Sequence, residues 1–355
     1  MRIAQLANNY RKAYPKSNNA IYSHAALLTN ALIERGNNVD LYAAGDSETN
    51  AKLTSVTDVA TADMTIAEET RKNLAHFLIS KCYKNAANYD IIHSHFSLLS
   101  SFYANLVDTP TVQSLHIPIK DEIRPLLSAF KNNYYISFSL AQRQTMPELN
   151  WAANIYHGLD LNEFAFNGKP NESLLYLGRI TGDKGVHMAI EAAIATNTPL
   201  IIAGRSYQKD GYWHNEIEKK IDGKLIQYVG EADYNKKKEL LQNAKALLFP
   251  TQVLETFGLS MIESLASGTP VIGWNNGSVQ EVIQDRHTGY VVDSVDGMVK
   301  AIQNINKISR DECRKRAEMF FSVEKMVTGY ERVYLRIIEE HREKTKPKRT
   351  NQLVG

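Results

Sequence analysis

Two kinds of pattern alternate along this chain, and the alternation occurs twice. Short apolar runs typical of buried strands are separated by longer segments in which apolar residues recur with helical spacing. Such alternation predicts parallel sheets, because parallel strands need long crossover connections. In the first half, strands are predicted near residues 2–7, 39–44, 90–93, 111–115 and 134–138, with helices near 20–35, 67–86, 97–106 and 119–130. In the second half, strands are predicted near 173–177, 199–203, 224–229, 246–249, 270–273 and 290–292, with helices near 185–195, 235–243, 258–267 and 278–284.

The length of 355 residues exceeds what one hydrophobic core usually holds, so two domains are predicted. Regular periodicity breaks down over residues 160–171, which places the join there. The prediction is an N-terminal Rossmann-like domain at 1–165 and a C-terminal one at 171–322, facing each other across a ligand cleft. A long amphipathic helix pattern follows at 323–342, and residues 343–355 form a strongly basic tail.

Charge and composition limit the partners of the chain. The net charge of +2 comes from 41 basic and 39 acidic residues, which indicates no nucleic-acid partner. Cys82 and Cys313 lie far apart in the sequence and are expected to be reduced thiols. Neither a secretion signal nor a run of ~20 apolar residues is evident, which predicts a cytoplasmic protein. The basic tail is expected to be solvated, with peripheral contact at the inner face of the membrane as the alternative.

The segment 255–263 carries two carboxylates, Glu255 and Glu263, on either side of the start of a predicted helix. The segment follows an apolar strand, and Gly258 is expected in the first turn of the helix. Backbone N–H groups in a first turn lack partners and favour an anion. Glu263 would lie roughly 7–8 Å along the helix axis from Gly258. A diphosphate on these amides would have one acid at each end, which matches the hexose, diphosphate and ribose of a nucleotide sugar.

Two cations accompany this acidic pair. Arg179 and Lys184 flank the carboxyl end of the strand predicted at 173–177, the edge where open α/β sheets bind ligands. Arginine offers a planar fork to phosphate oxygens, and lysine offers a compact charge on a flexible stem. Either cation alone is typical of a solvated surface, whereas the combination with the acidic pair favours phosphate binding. The predicted donor-binding residues are Arg179, Lys184, Glu255, Thr256, Phe257, Gly258, Leu259 and Glu263.

These motifs resemble family 4 of the glycosyltransferases, which are retaining enzymes of the GT-B fold that use nucleotide-sugar donors. In the C-terminal half the resemblance rests on Gly178-Arg179, Lys184-Gly185, Leu248-Phe249-Pro250, the 255–263 segment, Gly268-Thr-Pro-Val271, Gly277-Ser-Val-Gln-Glu281 and Thr288-Gly289. In the N-terminal half it is less specific and rests on Arg35-Gly36, Ala44-Gly45-Asp46, His93-Ser-His95 and Thr111-Val-Gln-Ser-Leu-His116. Tyr156-His157-Gly158-Leu-Asp160 continues it into the connection between the domains.

The resemblance implies a hexosyltransferase and assigns roles to individual residues. His116 would lie beneath the donor sugar, Glu255 would bind sugar hydroxyls, and Glu263 would bind the ribose, with His116 and Glu255 as the catalytic residues. UDP is the donor nucleotide favoured by family frequency, and the acceptor remains a glycan, a lipid-linked or a small molecule. The helix at 323–342 would cross back onto the N-terminal domain. Because the sequence contains no Asp-x-Asp motif, no metal or other cofactor is expected, and protein cations would replace it.

Further candidates lie at the rim of the site. Glycine-rich or polar strand ends in the C-terminal half are candidates for the nucleobase wall, namely Gly204, Val229 and Glu231. The loop before the first helix carries polar side chains where many family members have a Gly-Gly pair. The candidates for control of acceptor or donor access are therefore Ser17, Asn18 and Asn19. The ordinary polarity of a surface loop explains these residues nearly as well.

A His-x-His pair, His93 and His95, follows one of the N-terminal strands. Such a pair resembles part of a metal site, but no third ligand is evident near it in the sequence. A strand terminus is therefore the favoured interpretation, with His95 a candidate for lining the acceptor pocket.

Two other functions share these motifs. A nucleotide-sugar epimerase of GT-B architecture would use the same donor cleft without an acceptor, and incubation with UDP-sugars alone distinguishes the two enzymes. A non-catalytic sugar-nucleotide-binding subunit is disfavoured because Arg179, His116 and Glu255 are all present. No Gly-x-Gly-x-x-Gly follows the first strand, which argues against a nicotinamide dehydrogenase. The resemblance therefore implies a retaining glycosyltransferase, which is expected to be independent of metal.

Overall fold

The computed structural model describes residues 1–96, 98–207 and 211–345, and within these ranges the strands form two parallel sheets. The strands are β1 (Arg2–Leu6), β2 (Asn38–Tyr42), β3 (Lys52–Thr54), β4 (Ile91–Ser94), β5 (Thr111–Ser114), β6 (Tyr134–Ser137), β7 (Trp151–Asn154), β8 (Leu174–Leu177), β9 (Leu200–Ala203), β10 (Ile226–Tyr228), β11 (Ala246–Phe249), β12 (Val271–Trp274) and β13 (Gly289–Val292). The N-terminal sheet has the order β3-β2-β1-β4-β5-β6-β7, and the C-terminal sheet has the order β10-β9-β8-β11-β12-β13. These orders confirm the predicted α/β class with two Rossmann-like, doubly wound units.

The helices are α1 (Ala20–Glu34), α2 (Glu68–Lys84), α3 (Ser101–Ala104), α4 (Arg124–Ala129), α5 (Leu140–Gln144), α6 (Val186–Ala195), α7 (Tyr234–Asn243), α8 (Leu259–Ala266), α9 (Val279–Val282), α10 (Val295–Asn304), α11 (Arg310–Phe320) and α12 (Val323–Thr345). Strands β3 and β7 and helices α5 and α10 were not predicted from the sequence, and α11 was predicted only as a helix of unstated bounds around Cys313. Helix α11 is strongly charged and its buried residues are Cys313 and Ala317, so its apolar pattern is too sparse to reveal its bounds.

Two predicted helices are shorter than expected. The helix predicted near 119–130 begins as a 3-10 turn at Asp121–Ile123 and becomes α-helical only in α4. Pro125 lies in the first turn of α4, where the N–H that proline lacks would have no helical partner. The helix predicted near 97–106 is confined to α3, and its first residue, Ser97, lies outside the described residues.

The last helix, α12, completes the core of the N-terminal sheet, although it follows the C-terminal domain in the sequence. Its Tyr330, Tyr334 and Ile337 are fully buried in the same cluster as Ile3 and Val112 of the N-terminal strands. Large apolar side chains buried in this way supply much of the stability of a domain. The N-terminal domain is therefore built from two separate parts of the chain.

Helix α12 extends beyond the end predicted for it. Residues 343–345 continue the helix to Thr345, so the prediction that a tail begins at 343 is wrong. The helix carries on because Glu343 and Lys344 are good helix formers with no proline or glycine to end it. The rest of the predicted tail, 346–355, lies outside the described residues. Across the described residues, every helix is too short or too polar to cross a lipid bilayer.

The chain crosses from one domain to the other twice, and the two crossings lie side by side. Leu159 N donates a hydrogen bond to Phe321 O at 2.8 Å, and Val323 N donates to Leu159 O at 3.0 Å. Gly158 packs against the second passage so closely that a Cβ there would lie 2.8 Å from Ser322 O. This position therefore requires glycine, and the two passages fix the start of α12 relative to the connection between the sheets.

Gly158→Ala is expected to destabilise the protein by roughly 1–3 kcal/mol, the usual cost of forcing an extra methyl group into a packed site. The added Cβ would also lie 2.8 Å from Met326 Cβ and 2.9 Å from Val323 Cα. The measurement is the free energy of unfolding in urea. Gly168→Ala is the matched control, because the nearest atom to its added Cβ lies 3.6 Å away, at ordinary contact distance. Equal losses of stability in the two variants would contradict this role for Gly158.

Candidate active site

The segment 255–263 leads from the sheet into α8. Strand β11 ends at Phe249, and α8 begins at Leu259 with Gly258 as its N-cap in a left-handed conformation, φ 85°. A Cβ on Gly258 would lie 2.7 Å from Met261 Cε and 3.1 Å from Phe249 Cζ, so this turn requires glycine. The amino end of α8 thus lies at the carboxyl edge of the sheet, where its free N–H groups favour an anion.

Lys184 and Glu255 form an ion pair with each other. Their side chains are 16% and 22% exposed, so the pair is largely shielded from water. The contact arises because Gly185, with φ 70°, packs so closely on the end of β11 that a Cβ there would lie 2.2 Å from Pro250 O. The sequence analysis predicts that Lys184 binds phosphate and that Glu255 binds the sugar. In the structure the two residues instead pair with each other. A bound donor would have to exchange this ion pair for its own contacts.

Glu263 is buried and accepts a hydrogen bond from Lys237 Nζ at 2.6 Å. The two side chains are only 7% and 10% exposed, and Lys237 Nζ lies 5.1 Å from the centre of the Tyr234 ring. Burial of a charge is costly unless it is paired, so each residue compensates the other. Sequence reasoning missed Lys237. Its spacing with Leu240 and Leu241 places it on the apolar face of α7, which was the available signal.

The remaining donor-side candidates lie around the ends of β8 and β9. Arg179 is exposed beside the end of β8, where Tyr176 OH donates to its backbone carbonyl at 2.8 Å. Gly204 approaches Gly178 so closely that a Cβ would lie 1.7 Å from Gly178 O, so glycine is needed for these chains to pack. The other candidates are Phe257, which is buried, Thr256 and Leu259, which are half-buried, and Val229 and Glu231, which are exposed.

On the N-terminal side of the cleft, five of the ten histidines converge. We call them the histidine cluster, and they are His24, His93, His95, His116 and His157. His95 Nδ1 lies 3.0 Å from His116 Nε2, and His24 Nδ1 lies 3.0 Å from His157 Nδ1. His95 is buried behind His116, and both of its ring nitrogens have protein partners. Sequence reasoning missed His24, which lies on the buried face of α1.

A column of aromatic rings connects the histidine cluster with the donor segment. Phe138 packs against both His116 and His157, whose ring centres lie 4.5 Å and 4.1 Å from its own. The His157 ring in turn lies 5.2 Å from the ring of Phe257, which belongs to the segment 255–263. Ring contacts therefore connect His116 with the segment that carries Glu255.

Burial lowers the pKa of every histidine in the cluster. The pKa values of His95 and His157 fall to about 3, and those of His24, His93 and His116 lie well below the ordinary 6.5. The main cause is desolvation, which penalises the charged form, and the neighbouring imidazoles add to it. All five rings are therefore neutral at physiological pH.

The hydrogen-bond partners determine the tautomers of two of these rings. Gln5 is fully buried, and its Nε2 donates to Tyr334 OH at 3.1 Å. Its Oε1 must then accept from His95 Nε2 at 3.0 Å, which leaves His95 Nδ1 unprotonated. His116 Nε2 therefore donates to His95 Nδ1, and His116 Nδ1 keeps a free lone pair. That atom is buried and has no hydrogen-bond partner within the described part of the chain.

Acidification is expected to destabilise the protein through this cluster. The folded pKa values lie below the unfolded value of ~6.5, so the unfolded chain binds more protons at acid pH. The stability that depends on neutral rings is complete above pH ~6.5 and is lost as the pH falls below it. Each histidine should remove roughly 1.4 kcal/mol per pH unit below that point. The measurement is urea unfolding at several values between pH ~7 and ~5.5, above the range where most carboxylates titrate.

His93→Gln removes one of these groups and should reduce the pH dependence of the unfolding free energy by about one proton. The matched control is His287→Gln, because His287 is exposed and outside the cluster. A free energy of unfolding that stays constant over this range in the wild type would show that the rings are not buried in their neutral form.

The loop before α1 contacts the C-terminal domain. Asn18 Nδ2 donates to Ala232 O at 3.1 Å across the two domains. Ser17 is buried, and its Oγ accepts from Asn19 N at 3.2 Å, while Asn19 Oδ1 caps α1 by accepting from Ile21 N at 3.1 Å. The polar side chains of this loop thus make specific hydrogen bonds. The bond from Asn18 to Ala232 helps to set the distance between the domains.

A second contact between the domains was not assigned from the sequence. Glu281, on α9 of the C-terminal domain, accepts hydrogen bonds from the backbone N–H groups of Leu140 and Ala141 at 2.7 and 2.9 Å. It also accepts from Tyr156 OH at 3.1 Å. The carboxylate thereby satisfies free donors at the start of α5, a helix of the other domain.

The cavity between the domains is small in this structure. His24 and His157 line it from one side and Leu259 and Glu263 from the other, and its volume is about 60 Å³. Pockets for drug-sized ligands typically measure roughly 300–1,000 Å³. Entry of a nucleotide sugar therefore requires the domains to separate or the lining side chains to move.

Comparison with known proteins bears on this site. Residues 161–320 match the family model described as Glycosyl transferases group 1, a range that contains Lys184, Glu255 and Glu263. Over 171 residues the chain is 31% identical to a glycogen synthase of Mycobacterium tuberculosis, a match that covers 45% of this chain and 41% of that enzyme. The chain thus spans about two fifths of the length of that relative.

Two further comparisons extend over most of the chain. It is 24% identical over 345 residues to an uncharacterized glycosyltransferase of Methanocaldococcus jannaschii, covering 81% of this chain and 84% of that one. The structure of Anabaena HepE, in complex with UDP and glucose, matches with a TM-score of 0.71 at 16% identity, covering 95% of this chain and 100% of that one. A likeness at this identity shows the fold, which is GT-B. The chain is thus similar to glycosyltransferases, with the family match confined to residues 161–320, and the structural likeness shows a GT-B fold.

Proposed function

We propose that the protein is a retaining hexosyltransferase that moves a sugar from a UDP-sugar to a glycan, lipid-linked or small-molecule acceptor. The observation that carries this proposal is the pair of carboxylate–lysine contacts, Glu255 with Lys184 and Glu263 with Lys237, at opposite ends of one segment. His24 and His157 of the histidine cluster line a common cavity with Glu263. HepE, a protein of the same fold, binds UDP and glucose, which supports the choice of donor.

The diphosphate of the donor would lie at the amino end of α8, where free N–H groups favour negative charge. Lys184 would turn from Glu255 to the phosphate, and Arg179, which is exposed at the adjacent strand end, would join it. Glu255, released from its ion pair, would accept hydrogen bonds from hydroxyls of the sugar. Preorganised cations of this kind stabilise the charge that develops on a leaving diphosphate. Transfer would therefore need no metal ion at the phosphates.

His116 would position the donor sugar. Its Nδ1 atom is buried, carries a free lone pair and has no partner among the described residues, so a sugar hydroxyl could donate to it. Burial lowers the pKa of His116, so the ring is in its neutral, accepting form at physiological pH. The departing phosphate would accept the proton of the incoming hydroxyl, as it can in enzymes that retain the sugar configuration without a protein nucleophile.

Donor binding is tested first, with a thermal-shift panel of UDP, GDP, ADP and their glucose conjugates. UDP and UDP-glucose are expected to raise the melting temperature, since a ligand that binds only the folded state stabilises it. Glu263→Gln should weaken UDP binding roughly 10- to 100-fold, because it removes a charged acceptor for the ribose hydroxyls. Calorimetric titration measures the affinity.

Glu239→Gln is the matched control for that variant. Glu239 also pairs with a lysine of α7, Lys236, but it is 59% exposed and outside the cavity. Stabilisation by GDP alone would reassign the nucleotide, and the absence of stabilisation by any member of the panel would refute the donor site. Circular dichroism shows whether Glu263→Gln, which leaves Lys237 buried beside a neutral group, still folds.

His116→Ala is expected to lower kcat roughly tenfold or more while leaving the affinity for UDP unchanged. The lost hydrogen bond is to the sugar, and about 1.4 kcal/mol of transition-state stabilisation corresponds to a factor of ten. The measurement is sugar transfer to a panel of acceptors, with the anomeric configuration of the product determined by NMR. Full turnover in the variant would remove His116 from the site, and an inverted anomer would exclude a retaining mechanism.

A further inference from the structure

The structure places further imidazoles, which the sequence did not reveal, beside one member of the His-x-His pair, His95. Rings from α1 and from the end of β5 join His95, so that one nitrogen each of His24, His95 and His116 lies within 4.8 Å of the other two. His93 is not part of this group, because its ring bonds to Tyr334 OH at 2.6 Å and Ser114 Oγ at 2.8 Å. The sequence did not indicate this group, because folding brings His24 to His95 from a helix far away in the sequence.

The outer hydrogen bonds of two of these rings, His24 and His95, match those of metal ligands. A histidine that binds a metal usually donates its other N–H to a nearby acceptor, which fixes the ring and frees the ligating nitrogen. His95 Nε2 donates to Gln5 Oε1 at 3.0 Å, so its Nδ1 is free. His24 Nε2 lies 2.9 Å from Tyr330 OH and can donate to it, which frees Nδ1 of that ring as well.

The spacing and the ligand type both favour zinc. Nitrogens around a tetrahedral Zn²⁺ at about 2.0–2.1 Å lie roughly 3.3 Å from one another. His95 Nδ1 and His116 Nε2 are 3.0 Å apart, so an ion between them requires only a small opening of the pair. His157 is the nearest source of a fourth nitrogen, since its Nδ1 lies 3.0 Å from His24 Nδ1. Imidazole ligands favour zinc and similar transition metals over magnesium or calcium, which prefer oxygen.

We propose that His24, His95 and His116 form a zinc site in the cleft and that zinc bound there inhibits sugar transfer. A neutral ring that binds zinc through Nε2 carries its proton on Nδ1, so His116 would lose the lone pair that is proposed to accept from the donor sugar. The inhibitory part of the proposal rests on the proposed function, whereas metal binding does not. The ion acts separately from the phosphates, so the site is compatible with transfer that needs no metal.

Binding is tested on the wild-type protein without an affinity tag, in competition with a chromophoric zinc chelator. One equivalent of zinc per chain is expected. X-ray absorption at the zinc edge should show three or four nitrogen ligands at about 2.0–2.1 Å. This measurement needs no variant, so it remains decisive even if substitutions in the buried cluster prevent folding. Binding of less than one equivalent, or ligation by sulfur of Cys82 or Cys313, would overturn the site.

Variants then locate the ion. His95→Gln should weaken zinc binding by roughly 100-fold or more, and Gln5→Leu, which removes only the outer hydrogen bond, by roughly 10- to 100-fold. His287→Gln is the matched control, because it removes a histidine that is exposed and far from the cluster in sequence. Equal affinities in all three variants would place the ion elsewhere and refute the assignment.

Inhibition is measured as sugar transfer at increasing free zinc. Transfer is expected to fall in step with occupancy of the site, and a chelator should restore it. Transfer that persists when the site is full would overturn the inhibitory role. If the protein shows no transfer with or without zinc, the proposed function fails, and the binding and absorption measurements still decide the metal site.

Discussion

The hydrogen bonds that tie Leu159 to Phe321 and Val323 are the constraint on which the site depends. They bring two passages of the chain together between the domains and start α12 in the direction of the N-terminal sheet. Because this crossing lies beside His157 and Gly158, any shift there would move the ring column that joins the two halves of the cleft. The contacts of Asn18 and Glu281 then set the distance between domains that the crossing has already oriented.

Local sequence patterns predicted the strands and turns whose own residues carry a clear signal. Strands such as β11 were evident from continuous apolar runs, and the turn at Gly258 was evident from its place between a strand and a helix. A charged helix such as α11 was not, because its burial depends on two small residues and on neighbours far away in the sequence. Hydrophobic periodicity shows which face of a helix or strand is buried. It gives little signal when only one or two residues form that face.

The residues of the site were predicted better than the contacts between them. Lys184, Glu255 and Glu263 were singled out by their position at strand and helix ends, but nothing local shows that two of them pair or that Lys237 neutralises the third. A cleft that collects cations for an anionic ligand needs counter-charges when the ligand is absent, and nearby acids supply them. The histidine cluster was hidden for a similar reason, since its members come from α1, the ends of β4 and β5, and the connection between domains.

The position of α12 has a consequence for how the protein is made. Tyr330 and Tyr334 fill the core beneath β1, β4 and β5, yet they leave the ribosome only after the whole C-terminal sheet. Domains often fold in the order in which they are synthesised, but here the N-terminal domain lacks part of its interior until the C-terminal domain has also been made. During that interval its apolar sheet face is open to water and to other chains. The C-terminal domain, whose sheet and helices come from one continuous stretch, can become compact first.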